Sequence, residues 1–200
     1  RVRRGVYYRP LDTILGKSSP DPEALVDTIL GLRGARALAS GISQYNRLGL
    51  TTQVSGSITR SVPRRIHLKR VAGIPVYLSE RPLEKQEGIR PEERTALDAL
   101  RDLSRVPDAS ARDVLERLRE LLVARRLKFE RLARFALSEP PRVRALLGAL
   151  GEDILMRRDG GKRMFSRGLR ALRAKLNPLT SYRIRGAAGT LRRAPAWRIR

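Results

Sequence analysis

Apolar and polar positions change period three times along this chain, and the changes divide it. Over residues 1–9 the pattern alternates. Val6 and Tyr8 fall on one face of an extended segment and Tyr7 and Arg9 on the other, until Pro10 ends the run. A strand this short needs a partner, and none precedes it in the sequence. The segment is therefore expected to be one half of a hairpin, in a fragment whose other half lies before Arg1. A loop rich in Gly, Ser and Pro covers residues 11–21. A helix is predicted next, with Asp21 as N-cap, Pro22 at the first helical position, Leu25, Ile29 and Leu32 at helical spacing, and Gly34 at the close. A shorter helix is predicted behind Ser40 as cap, carrying Ile42, Tyr45 and Leu48 and ending at Gly49. Thr51–Val54 then read as extended chain.

Period two returns over residues 54–79. Ile66 and Leu68 alternate with His67 and Lys69, "AGI" supplies a turn, and "PVYL" a second strand that Pro75 pushes toward a sheet edge. Charged residues broken by Pro82, Gly88 and Pro91 form a linker over 80–92. From Pro91 the period is helical. Ala96, Leu97, Leu100 and Leu103 mark one helix. A longer helix begins at a Ser110/Asp113 capping box and carries a stripe of Val114, Leu118, Leu121, Leu122, Phe129, Leu132 and Phe135. A third starts after Pro140 and Pro141, with Val143, Leu146, Leu147 and Leu150 on one side. Three such stripes can bury one another as a small bundle. Past Arg157 the chain is basic and glycine-rich, with Asp159 its only acid. Apart from a short amphipathic helix through Leu169, Leu172 and Leu176, it is expected to be largely flexible.

The fold class that follows is α+β. It comprises a remnant strand of a DNA-binding domain (1–10), a small mixed α/β domain (11–80), a helical domain (91–156) and a basic tail (157–200). No internal repeat is present. A chain of 200 residues is long enough for one good core or two small ones.

Charge narrows the function. The formal net charge is +23, carried by 37 arginines and only six lysines. Coding bias in a GC-rich genome would account for the choice of arginine over lysine, but not for the shortage of acids. A surplus of this size predicts a polyanionic partner: nucleic acid, an acidic membrane face or an acidic protein. Cysteine is absent, which excludes disulfides, thiol nucleophiles and thiolate metal sites and suits a cytoplasmic protein. The single histidine, His67, leaves little room for His-based zinc sites or Ser/His/Asp chemistry, and the alternation places it on a polar surface. No apolar run reaches the roughly 18–20 residues that span a bilayer.

Candidate chemistry is sparse. "GLRGAR" and "RDGGKR" lack the spacing of phosphate-cradling loops. The adjacent acids Glu92/Glu93 and Glu152/Asp153 point in different directions on a helix and read as solvated. No enzyme, cofactor or metal is expected. Nucleic-acid contact has a better basis: Arg1, Arg3, Arg4 and Arg9 can each reach a phosphate, while Tyr7 and Tyr8 add hydroxyl donors and flat apolar surface. A basic hairpin of this composition is a wing, which lies along the DNA backbone or minor groove. The flexible tail offers a competing cationic surface for RNA, DNA or an acidic protein.

Five stretches carry a family resemblance: "VRRGVYYRP" (2–10), "LGKSSPDP" (15–22), "SGISQYNRLGLTTQV" (40–54), "LSEPPRVRALLGALGE" (137–152) and "LNPLTSYRI" (176–184). In this order they resemble the AbiEi-type antitoxins of type IV toxin–antitoxin systems, bacterial proteins with an N-terminal winged helix-turn-helix. "SGSITRSVPRR" (55–65) and the basic extension past Tyr182 depart from that pattern. The resemblance implies a cytoplasmic antitoxin and transcriptional repressor that binds the operator DNA of its own operon and is functionally tied to a nucleotidyltransferase-like toxin. It assigns Arg3, Arg4, Gly5, Val6, Tyr7, Tyr8 and Arg9 to the wing's closing strand and places the base-reading helices upstream of Arg1. The alternative is a basic interaction protein that binds an acidic protein partner or RNA without sequence-specific DNA binding.

Overall fold

A computed structural model describes residues 6–10, 12–14, 16–81, 87–157 and 165–200. The fold is α+β, with seven α-helices and a four-stranded mixed sheet among the described residues. The chain divides into two compact units, Arg1–Gly41 with Ser55–Glu84, and Ile42–Val54 with Lys85–Arg200. The expected boundaries shift accordingly. Residues 6–10 lie with the first unit, residues 42–54 with the helical unit rather than the mixed α/β region, and residues 165–200 with the helical unit too.

The first unit begins with a two-stranded ladder, β1 (Asp12–Thr13) and β2 (Gly16–Lys17), inside the segment read as loop. Helix α1 (Pro22–Leu32) starts as its sequence dictates. The Asp21 carboxylate accepts from the Glu23 N–H at 3.0 Å, and Pro22 occupies the first turn. Its end is equally local, with Gly34 at φ +66° and the Ala35 N–H returning to the Leu30 carbonyl at 3.0 Å. The buried stripe is Leu25, Val26, Ile29 and Leu30; Leu32, expected in the core, is exposed. On a helical wheel Leu25, Ile29, Val26 and Leu30 follow one another over about 140°, and Leu32 lies about 20° beyond Leu25 on the outer side, so the core face is turned toward Val26 and Leu30 and leaves Leu32 at its margin.

Strands β3 (Leu38–Ser40), β4 (Ile58–Val62), β5 (Arg70–Val71) and β6 (Ile74–Glu80) form the sheet in the order β3-β4-β6-β5. β3 runs antiparallel to β4 and β4 parallel to β6. β5 and β6 form a two-residue hairpin through Ala72 (φ +49°) and Gly73 (φ +79°), the backbone of a type I′ turn. Two expectations are corrected here. The strand read around Ile66–Lys69 shrinks to Arg70–Val71, although the alternation survives in the buried Leu68 and exposed His67. β6 is an inner strand, not an edge. Pro75 is tolerated because it lies opposite Arg70 between the hydrogen-bonding pairs, where it takes no bond from β5, and because the β4 register starts only at Val76. One sheet face and α1 share a core of Val6, Leu25, Val26, Ile29, Leu30, Ile58, Val62, Leu68, Val71 and Val76. Arg60 on β4 ties the layers together. Its guanidinium donates to both carboxylate oxygens of Asp27 (2.7 and 3.2 Å) and to Glu23 (3.2 Å), neighbours on α1.

The second unit is helical. It contains α2 (Ile42–Arg47), α3 (Pro91–Arg101), α4 (Ala111–Val123), α5 (Phe129–Ala136), α6 (Pro141–Arg157) and α7 (Ser166–Ala174), with 3-10 turns at Leu103–Arg105 and Pro195–Trp197. Ser40, read as the cap of α2, belongs to β3 instead, while Gly49 (φ +69°) does close the helical turn. The Ser110/Asp113 capping box forms as expected. α6 is buried on nearly every side and packs against α3, α4, α5 and α7. The long helix expected over 110–137 is two, α4 and α5, although neither Gly nor Pro separates them. Arg125 turns left-handed (φ +58°) and the Leu127 N–H returns to the Leu121 carbonyl at 3.1 Å. The turn allows both halves of the apolar stripe to reach α6, and packing overrides the continuous helical period.

The basic tail is the largest correction. Residues 165–200 are folded against α6, through α7 and a chain of turns. Ile199 bridges Tyr182, whose N–H donates to the Arg198 carbonyl at 2.6 Å and whose carbonyl accepts from the Arg200 N–H at 2.9 Å. Trp197, the chain's only tryptophan, is buried. It sits where a Cβ on Gly148 of α6 would lie 2.1 Å from its ring, so the glycine makes the space. Acids on α6 hold the tail in place. Glu152 accepts from Arg173 and from Arg193 Nε (3.0 Å), and Asp153 accepts from the Arg192 N–H (3.2 Å) and Arg119 Nη2 (2.8 Å). These two acids are thus anchors, not solvated groups.

Candidate nucleic-acid interface

The sequence-predicted site divides. Arg1, Arg3 and Arg4 lie outside the described residues, together with Gly5. Of the remainder, Val6 is 5% exposed and belongs to the first unit's core, whereas Tyr7 is 71% and Tyr8 37% exposed and Arg9 is also exposed. One apolar side chain anchors the segment and the next three side chains face solvent. Tyr8 is only half-free, because its hydroxyl donates to the Ser18 carbonyl at 3.1 Å, which fixes the ring and leaves its face open. Tyr7 and Tyr8 present aromatic surface and Arg9 a guanidinium. This combination suits a phosphate-sugar backbone and carries no base-reading pattern of its own.

Many of the other arginines are engaged inside the protein. In the second unit, Arg94 is fully buried and donates to Asp98 (Nε to Oδ2, 3.0 Å) and Glu139 (3.1 Å). Glu139 also takes Arg101 Nε at 3.0 Å. Burial opposes the charge on Arg94, but the hydrogen bonds and attraction of Asp98 and Glu139 outweigh it and push its pKa further up. The buried Glu93 follows the same logic. Burial raises its pKa, and bonds from Arg131 and from the Arg90 N–H more than offset this, holding the carboxyl below its usual range. The Glu92/Glu93 pair therefore splits into one exposed acid and one buried clamp. The Asp113 carboxylate is held low by hydrogen bonds from Ser110.

Two cationic concavities remain on the second unit. A groove between α5 and α7 is lined by Arg134, Arg167 and Gly168, with Arg134 lying 4.7 Å from the Phe135 ring. A second concavity gathers Arg101 at the end of α3, Ser104, Arg142 at the start of α6, and Arg183 and Arg185. Reading the sequence missed this cluster because its members lie far apart along the chain. The legible part was "SYRIR", where extended backbone puts Arg183 and Arg185 on one face. Among the described residues, no group of three or more His, Asp or Glu side chains is placed to hold a metal, and no helix is long and apolar enough to cross a membrane.

Comparison of the chain with protein-family models, with curated proteins and with solved structures gives no match.

Proposed function

We propose that this protein binds duplex DNA along its phosphate backbone and acts as a transcriptional repressor and antitoxin of a bacterial type IV toxin–antitoxin operon, without enzymatic activity of its own. The observation that supports the reading is the 6–9 segment: Val6 is anchored in a core, and Tyr7, Tyr8 and Arg9 stand in solvent behind it. In this reading the segment supplies affinity, and the choice of sequence comes from elsewhere in the assembled repressor. The test is a gel-shift titration with operator DNA and a scrambled duplex, using full-length protein carrying Arg3→Ala, Arg4→Ala and Arg9→Ala. Both duplexes should lose affinity to the same degree. Unchanged binding would remove the wing from the account.

A second reading is a basic interaction protein that grips an acidic protein partner or RNA. The groove of Arg134 and Arg167 between α5 and α7 favours it. Nuclease-resistant co-purification with the product of an adjacent gene, lost on Arg134→Ala/Arg167→Ala, would support this reading over the first. Deleting 157–200 is not a clean test of tail-mediated binding, because the deletion also removes Trp197 from its seat on α6.

A further inference from the structure

From the concavity lined by Arg101, Arg142, Arg183 and Arg185, we infer a second ligand site, independent of the reading above: a receptor for a phosphoryl group built wholly within the helical unit. Four arginines from three parts of the chain line it. Two of them are oriented by protein acceptors. Arg101 is held by Glu139 through Nε at 3.0 Å, and Arg142 donates through Nη2 to the carbonyl of Arg101. Glu139 is shared with Arg94, so it neutralises the cluster only in part.

The other two, Arg183 and Arg185, are exposed and have no acidic partner among the described residues. Their side chains are long, but the backbone that presents them is pinned. Tyr182 and Ile184 donate to Arg198 and Arg200 at 2.6 and 3.0 Å, and Arg200 returns a bond to Tyr182 at 2.9 Å. A loose basic tail could not hold two cations in this register.

The ligand class follows from this donor set. A single carboxylate has two oxygens and is satisfied by one or two guanidinium forks. The forks of Arg183 and Arg185, the N–H groups that Arg101 and Arg142 have left over, and the Ser104 hydroxyl match the three terminal oxygens and double charge of a phosphoryl group. The leucine-lined floor, Leu146 among it, limits water behind the ligand and strengthens each contact. The start of α6 at Arg142 adds a dipole of the favourable sign.

The test uses the full chain, with pyrophosphate as probe and isothermal titration calorimetry at low ionic strength. Wild type should bind with one saturable stoichiometry. Arg183→Ala/Arg185→Ala should weaken binding by about tenfold or more, with Trp197 emission unchanged. Absence of saturable binding to wild type, or equal affinity in the double variant, would overturn the site. Should the double variant lose the native tryptophan emission, Arg142→Gln is judged by the same two outcomes. Competition then identifies the source of the phosphoryl group. Displacement of pyrophosphate by a short oligonucleotide without terminal phosphate would overturn the assignment to a terminal phosphoryl group, because a backbone phosphodiester has only two free oxygens and one charge. Displacement by a nucleoside diphosphate alone assigns it to a small phosphorylated ligand.

Discussion

Arg94 and Glu139 are both buried, and each depends on the other's charge. Removing Glu139 leaves Arg94 with Asp98 alone and strips Arg101 of its carboxylate, so two guanidinium groups lose a buried counter-charge. Glu139→Ala should therefore destabilise the protein by about 3–5 kcal/mol, read from urea unfolding. A loss below about 1 kcal/mol would mean that water reaches the pair. Glu93 makes a pH prediction. Its folded pKa is depressed, so the stabilisation it gives is present above its unfolded value of about 4.3 and is lost as pH falls through the lower folded value. Glu93→Gln should lower stability at neutral pH and flatten its fall below pH ~4; an unchanged acid limb would show that other carboxyls set it. Sequence alone shows acids next to one another and cannot show burial. Glu93 and Asp153 look like solvated acids in the sequence for that reason, whereas Asp21 and the Ser110/Asp113 box are legible because capping is settled within three residues.

The same contrast between local and remote causes holds for elements. The start and stop of α1, the turn at Gly49 and the restart at Pro141 follow from short-range rules and stand where the sequence puts them. The break between α4 and α5 and the inner position of β6 depend on what packs alongside, and no local residue announces either. The hairpin at Ala72 also carries a local cost, because an L-residue there adopts φ +49°. Ala72→Gly should stabilise the first unit by up to about 1 kcal/mol in urea titrations; a loss would show that the methyl group has a packing role. The seat of the tail on α6 is equally specific. Gly148→Ala places a methyl group inside the Trp197 ring and should cost about 1–3 kcal/mol, with a red shift of the single tryptophan's emission. Wild-type emission and stability in that variant would contradict the packing described for residues 165–200.

At the scale of the whole molecule, the surplus of +23 is not one undivided cloud of charge. Arg60, Arg94, Arg101, Arg119, Arg131 and Arg173 hold acids within their own units and act as structural clamps. Composition could give the sum but not this division, and residues 165–200 of the tail inferred from it to be flexible are in fact folded. Exposed cations left over after this internal pairing, Arg9 among them, are what a polyanion would meet. The claim that they meet a DNA backbone is tested most directly by the salt dependence of binding. Fluorescence anisotropy of a labelled duplex across a salt series should give a linear fall of log affinity with log salt for wild type. Tyr7→Ala/Tyr8→Ala/Arg9→Ala should show weaker binding and a slope shallower by about 0.9, the equivalent of one phosphate contact. A wild-type chain that does not bind duplex DNA at low salt, or a variant with the same affinity and slope, would contradict the account.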